Sequence, residues 1–152
     1  MQGFYDFSDL RIGMRVSVEG AFAEGAFRAH TISIKGDGDM DEIEAMVESA
    51  DTVSGTLRIL GLAVAIGDGV EMKGLDKQAL RLEEIQPGTR LKTKGRALDG
   101  RRFQPVKIKA KSRTPDEMDQ IESAITALDP QARTLSVMGF LVRCDEDCEI
   151  EA

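Results

Sequence analysis

The side chains with the clearest chemical potential lie in residues 88–113, which hold ten basic residues and one acidic residue. They follow the two-residue period of β-strands, so the basic side chains of each strand share one face. Two adjacent strands of this kind would present a single basic surface that could hold a polyanion. The predicted anion-binding residues are Arg90, Lys92, Lys94, Arg96, Lys107, Lys109 and Lys111.

A second interpretation of this basic block stays open. Residues 36–87 and 114–152 hold 12 and 10 acidic residues, and these segments could lie across the block. Alternatively, the lysines and arginines could simply keep an exposed strand soluble. The formal net charge of −7 and the aromatic content of 5% argue against nucleic acid as the partner.

An acidic run before the first central strand has the oxygen-ligand spacing of a calcium-binding loop. Asp37, Asp39 and Asp41 stand at loop positions one, three and five, and Glu48 stands at position twelve. Position six holds Glu42, where the sharp turn of such a loop requires glycine. The pattern therefore favours a solvated acidic linker over a calcium site.

Two internal repeats organise the chain. Residues 43–64 match residues 121–142, from an Ile-Glu opening to a Thr-Leu-x-[Ile/Val]-x-Gly turn, at a constant offset. Residues 9–34 match residues 84–110 after one inserted residue. Repeats of this kind indicate that the chain is built from similar structural units.

The order of the repeats predicts one complete central unit, residues 42–113, between two half-units, residues 4–35 and 120–152. The two halves would form a second, circularly permuted unit, or each would be completed by another chain. The expected partners are therefore another protein or a second copy, as a domain-swapped or edge-paired homodimer.

The repeat aligns each of the two cysteines with a residue of the central unit. Cys144 aligns with Ile66 and Cys148 with Val70, which flank a predicted hairpin turn at Gly67-Asp68-Gly69. Residues that face each other across such a turn can lie within disulfide distance. A disulfide between Cys144 and Cys148 and two buried thiols that replace aliphatic side chains both fit this pattern.

The central unit has the strand pattern of a small barrel. Ala79, Leu82 and Ile85 share one face of a predicted helix over residues 76–85, which Asp76 could cap. Three strands, a short helix and two strands follow the order of an OB-like barrel. We therefore predict an all-β fold of two small OB-like antiparallel β-barrels, with one short helix per complete unit. The predicted strands lie at residues 43–47, 57–59, 62–66, 90–96 and 103–111.

The segment Leu10-Arg11-Ile12-Gly13-Met14-Arg15-Val16-Ser17-Val18-Glu19-Gly20 resembles a bacterial family called domain of unknown function 5666. Residues 43–64 and 121–142, with their Ile-Glu opening and Thr-Leu turn, resemble the other half of that domain. The resemblance implies repeated OB-like β modules in exported or envelope proteins of bacteria, and hence a periplasmic or envelope location. It implies no activity.

The N-terminal residues have neither a basic region nor an apolar core, so the sequence predicts no signal peptide, and a cytoplasmic location stays open. No apolar run approaches the length of a membrane span, which predicts no transmembrane segment. Ser–His–acid sets, phosphate-binding glycine loops and HExxH motifs are also missing from the sequence.

His30 is the single histidine and shares strand parity with Ile32 and Ile34. We therefore expect a partly buried residue at a barrel end and not a catalyst. One histidine and two cysteines are too few for a usual metal site, so no metal or cofactor is predicted. The sequence predicts a non-enzymatic structural or interaction module. The alternative is a polyanion-binding module that uses the strand pair at residues 90–111.

Overall fold

The computed structural model describes residues 5–36, 38–112 and 117–152. The predicted unit limits Phe4 and Arg113, and Asp37 of the acidic run, lie outside the described residues. The chain has 57% of its residues in strands and 4% in helical turns, which confirms the prediction of an all-β fold. The strands are β1 (Arg15–Ala23), β2 (Ala26–Ile34), β3 (Asp41–Asp51), β4 (Thr56–Ile59), β5 (Leu62–Ala65), β6 (Glu71–Lys73), β7 (Arg90–Leu98), β8 (Arg102–Lys111), β9 (Asp119–Asp129), β10 (Thr134–Val137), β11 (Phe140–Arg143) and β12 (Glu149–Glu151).

The chain divides into two compact units. The central unit is Met40–Glu117, and the split unit consists of Met1–Asp39 and Met118–Ala152. In the split unit, β1 pairs with β9, and β2 pairs with β11 and β12. The N-terminal and C-terminal segments therefore share one set of backbone hydrogen bonds within a single chain.

The central unit contains a closed five-stranded barrel. β3 pairs antiparallel with β4 and with β7, β4 pairs with β5, and β7 pairs with β8. The ring closes because β5 runs parallel to β8. Ile43, Ala45 and Val47 of β3 are buried in its interior, as their alternation predicts.

The strands of the split unit pair in the order β9–β10–β11–β2–β1, and β1 returns to β9. As in the central unit, one contact of the ring is parallel, between β11 and β2. Its buried side chains include Val16, Phe27, Ile121 and Leu135. Each unit therefore encloses its own apolar interior.

The turn predicted at the end of the Thr-Leu-x-[Ile/Val]-x-Gly motif is confirmed: it lies at Leu60-Gly61 and joins β4 to β5. Both residues have positive φ angles, 53° and 75°. Two successive residues of this kind form the tight hairpin turn whose twist matches that of the flanking strands.

The helix predicted over residues 76–85 is wrong. After β6 the chain folds back, and the N–H of Gly74 donates to the carbonyl of Gln78 at 2.8 Å. Lys77 has a φ of 66°, outside the helical region. The backbone groups that a helix would use are already bonded in this turn, and only a three-residue 3₁₀ turn follows, Leu82–Glu84.

The described helical residues of the split unit likewise form a 3₁₀ turn, Phe7–Asp9. None of the helical segments in the described part of the chain is long and apolar enough to span a membrane.

The hairpin predicted at Gly67-Asp68-Gly69 is also wrong. β5 and β6 both run parallel to β8, one after the other along the same edge. β11 and β12 are placed in the same way along β2. Cys144 and Cys148 therefore flank a loop between two successive strands, because both strands find their partner in β2 and not in each other.

A β-bulge interrupts the pairing of β7 with β8. Lys94 lies opposite Lys107, but the next residue, Gly95, lies opposite Pro105. Val106 is left as the extra residue and is 52% exposed, although strand alternation predicts that it faces inward. The bulge reverses the side-chain parity at this point.

A second bulge lies between β1 and β2. Glu19 lies opposite Thr31, whereas Gly20 lies opposite Ala29, so that His30 is the extra residue. His30 is exposed. The expectation that it is partly buried is therefore wrong, for the same reason as at the first bulge.

A glycine is required at each bulge because two backbones approach closely there. A Cβ atom on Gly95 would overlap the carbonyl oxygen of Gln104, and one on Gly20 would overlap that of Arg28. These contacts are to backbone atoms, which cannot rotate away as a flexible side chain could. No other residue type fits without displacing a strand.

We predict that Gly95→Ala lowers the free energy of unfolding by about 1–3 kcal/mol, the usual cost of forcing extra atoms into a packed region. Gly67→Ala is the matched control, because a Cβ atom there meets nothing within 4 Å and its φ is not left-handed. Urea unfolding of both variants measures the difference. Equal stabilities would show that the close approach at Gly95 is not required.

Candidate anion-binding site

The described residues that line a surface cleft of about 120 Å³ in the central unit are all lysines. In the register of β7 and β8, Lys92 lies opposite Lys109 and Lys94 lies opposite Lys107. Like charges directly opposite each other destabilise an antiparallel pair. The cleft therefore concentrates positive charge at the expense of sheet stability. Its lining residues are Lys92, Lys94, Lys107, Lys109 and Lys111.

At one end of the cleft the positive charge is balanced. Glu42, Lys94, Lys107 and Glu71 lie opposite one another on β3, β7, β8 and β6. The Nζ atom of Lys94 is 3.2 Å from Glu42, and that of Lys107 is 3.8 Å from Glu71. Two carboxylates thus offset two ammonium groups in this row.

The next row along the same strands carries excess positive charge. It consists of Glu44, Lys92, Lys109 and Lys73. The carboxylate of Glu44 lies 2.9 Å from Nη2 of Arg90. Lys92 and Lys73 lie 3.9 Å and 3.3 Å from Glu42 and Glu71 of the first row, so that among the described residues Lys109 is the lysine of this row with no carboxylate at ion-pair distance.

Lys109 lies at the centre of this excess charge. Within the described ranges, no carboxylate lies at ion-pair distance from Lys109 or from Lys111. The charge of Lys111 lowers the pKa of Lys109 below its ordinary value, and burial and the charges of Lys77, Lys107 and Lys73 add to this effect. A bound anion would offset the repulsion that causes the shift.

Arg90 was predicted to belong to the basic surface, but the structure places it in a buried ion pair. Its side chain is 5% exposed, and its Nε atom lies 3.0 Å from Glu44 and 3.3 Å from Glu117. The pair ties β7 to β3. In the split unit, Nε of Arg15 lies 2.9 Å from Glu122 and ties β1 to β9.

Sequence reasoning missed these two ion pairs, although the repeat held the signal. One offset aligns Arg15 with Arg90, and the other aligns Glu44 with Glu122. Both partners of the pair therefore recur together, which a purely solvated arginine does not require.

Arg96 also lies outside the cleft. It is exposed, as strand parity predicts, but it lies opposite Gln104, on the far side of the bulge from the lysines. Phe103, the aromatic residue within the basic block, is 1% exposed. Its ring is therefore not available to stack on a base or a sugar.

Two of the acidic residues that resembled a calcium loop accept hydrogen bonds from other strands and turns of the central unit. Asp41 accepts a hydrogen bond from the N–H of Ala97 at 2.8 Å, and Glu48 accepts one from the N–H of Gly61 at 2.6 Å. Among the described residues, no group of three or more His, Cys, Asp or Glu is placed to hold a metal ion.

Cys144 and Cys148 of the split unit form a disulfide. This is one of the two arrangements that the sequence left open. The disulfide closes the loop between β11 and β12, which holds Asp145, Glu146 and Asp147. The disulfide therefore holds together the two ends of an acidic loop that lies outside the strand pairing.

The fold and the cleft define an all-β protein with a concentrated cationic surface. Comparisons with protein-family models, with curated proteins and with solved structures found no match. The resemblance to the domain of unknown function 5666 family stays a prediction.

We predict that Lys109 titrates at a lower pH than a free lysine side chain, as followed by NMR of its side-chain carbons. Lys111→Gln should raise the pKa of Lys109, because it removes the largest cause of the shift. The native state disfavours the charged form of Lys109, so this destabilisation is present at neutral pH and is lost as the pH rises from the lowered pKa to the ordinary lysine value. An unchanged titration in Lys111→Gln would contradict the prediction.

We also predict that Glu44→Gln lowers the free energy of unfolding by about 1.5–3 kcal/mol, the range for hydrogen bonds to charged groups. The control is Glu84→Gln, which breaks an ion pair with Arg81 whose side chains are 50% and 77% exposed. That change should stay within about 0.5 kcal/mol. Urea unfolding measures both, and a similar loss in the two variants would refute a special contribution from the buried pair.

Proposed function

We propose that the protein is a non-enzymatic interaction module of two OB-like units, and that its central unit holds an anionic polymer in the lysine cleft. The strand order supports the assignment of the central unit. It is a five-stranded ring with a single parallel contact, between β5 and β8, and a short 3₁₀ turn precedes β7. The split unit pairs its strands in a matching order, which supports the same assignment for it.

The observation that carries the proposed binding is the uncompensated charge at Lys109 and Lys111. Carboxylates balance the row of Lys94 and Lys107, but none reaches these two lysines within the described residues. The lowered pKa of Lys109 records the resulting repulsion. An anion in the cleft would interact with several ammonium groups at once and relieve this repulsion.

The size and lining of the cleft favour a particular kind of anion. A volume of about 120 Å³ suits one sulfate-like or phosphate-like group at a time. The lysines on either side of Lys109 would meet neighbouring groups of the same polymer. Among the described residues the cleft is lined by lysines, and Phe103 is buried, so an anionic polymer without bases is favoured over single-stranded nucleic acid.

We also propose that the protein is associated with the bacterial cell envelope. An envelope location rests on the family resemblance alone. Association of two copies also stays a prediction, and light scattering of the full chain would test it.

The test is the binding of a labelled heparin oligosaccharide to the full chain, measured by fluorescence anisotropy over a salt series. We expect the logarithm of the affinity to fall linearly with the logarithm of the salt concentration. Lys109→Gln should weaken binding and reduce the magnitude of this slope by about one. Lys35→Gln, which removes the same charge from an exposed position of the split unit, should change neither quantity.

Three outcomes would contradict the proposal. One is the absence of binding at low salt, and another is an equal loss of affinity in Lys109→Gln and Lys35→Gln. The third is tighter binding of single-stranded DNA than of a heparin oligosaccharide with the same number of charges, which would favour a nucleic-acid ligand.

A further inference from the structure

The two sulfur atoms of the disulfide in the split unit have different surroundings. Cys144 is 1% exposed, whereas Cys148 is only partly buried. Thiol–disulfide exchange requires an incoming thiolate to reach one sulfur, which then forms the new bond, while the other sulfur leaves. Accessibility therefore makes Cys148 the attacked sulfur and Cys144 the leaving sulfur.

The guanidinium of Arg133 lies against the leaving sulfur. Its Nη2 atom donates to Sγ of Cys144 at 3.7 Å, and its Nε atom donates to the carbonyl oxygen of Cys144 at 2.8 Å. The guanidinium also lies over the ring of Phe7, 5.7 Å from its centroid, which helps to hold it in place. A positive group in this position stabilises negative charge on the sulfur.

The backbone of Arg133 has a left-handed conformation. Arg133 has a φ of 54°, a conformation that residues with a side chain seldom adopt. The repeat aligns it with Gly55 of the central unit, which has a φ of 71°. The carbonyls of these residues accept matching hydrogen bonds, from Cys144 at 3.0 Å and from Ile66 at 2.7 Å. Glycine meets this backbone requirement more easily, so the backbone conformation does not explain why position 133 carries an arginine, whereas the contacts of its guanidinium with Cys144 do.

We propose that the disulfide of the split unit is a thiol-exchange site in which Arg133 stabilises the leaving sulfur. The thiolate of an incoming thiol attacks Sγ of Cys148 and forms a mixed disulfide with it. The Cys144–Cys148 bond breaks, and its electron pair leaves on Sγ of Cys144 as a thiolate beside the guanidinium. A second thiolate then attacks the thiol-derived sulfur of the mixed disulfide and releases Cys148, so that two thiols are oxidised to one disulfide.

The acidic loop selects among thiols by charge. Four exposed carboxylates surround Cys148 in the sequence, and one of them pairs with Arg28 at 3.1 Å. The other three repel an anionic thiol and attract a cationic one. The preferred reactant is therefore a thiol that carries a positive group. The four carboxylates belong to Asp145, Glu146, Asp147 and Glu149.

The first experiment uses the native full chain. It is exposed briefly to cysteamine and quenched with acid, the freed thiol is alkylated, and both modifications are located by tandem mass spectrometry. We expect cysteamine on Cys148 and the alkyl group on Cys144. The reverse assignment would overturn the proposal, and this outcome does not depend on the folding of any variant.

The second experiment compares rates of reduction by cysteamine. Arg133→Gly supplies the residue that the central unit has at the aligned position, and we expect it to slow reduction about fivefold through loss of the charge-assisted contact. Arg133→Lys retains the charge and should lose less of the rate. If Arg133 only held the loop in place, its removal would loosen the loop and speed reduction. A faster or unchanged rate in Arg133→Gly therefore overturns the proposal.

The third experiment tests the selection by charge. Cysteamine and 3-mercaptopropionate both have two methylene groups between the sulfur and the charged group, and their charges are opposite. At equal thiolate concentration, cysteamine should react faster, and the difference should shrink as salt is added. Equal rates at low salt would refute the selectivity that we assign to the acidic loop.

Discussion

The close approach of two backbones at Gly95 determines how the sheet that bears the lysine cleft is arranged. β7 and β8 come together too tightly there for a Cβ atom, and the extra residue, Val106, is displaced to the surface. A bulge of this kind increases the local twist of a strand pair, as a small closed barrel requires. It also sets the register that places Lys94 opposite Lys107. The cleft thus depends on a contact between backbone atoms outside it.

The charge of the cleft follows from the different fates of arginine and lysine on the same strand. The guanidinium of Arg90 is buried, because its planar set of donors can bind Glu44 and Glu117 together. Lysine side chains keep their ammonium groups at the surface. Since Arg90 binds Glu44, the neighbouring row of the sheet loses its balancing carboxylate, and the charge of Lys109 is left uncompensated. A buried ion pair and an exposed cationic site therefore arise from one arrangement.

The two units combine a similar order of strand pairing with different surface chemistry. In the split unit, the strand equivalent to β7 presents Arg15, Ser17 and Glu19 and has no row of lysines. The ion pair between Arg15 and Glu122 is retained, because it links two strands of the ring. The disulfide and Arg133 occur in this unit alone among the described residues. Pairing of the strands thus constrains the interior, whereas the outer positions are free to carry chemistry.

By itself, the sequence determined the five strands that form the central ring, the turn at Leu60-Gly61 and the outward face of the lysines, because a two-residue period and positive-φ turns are local properties of the chain. It did not predict the short strand β6, whose partner β8 is distant in sequence. The tertiary structure alone decided that residues 76–85 form no helix, that His30 and Val106 point outward, and that Arg90 is buried. Each of these depends on pairing between distant strands, which competes for backbone hydrogen bonds, inserts a bulge or brings a carboxylate against an arginine. Local periodicity holds no information about such partners.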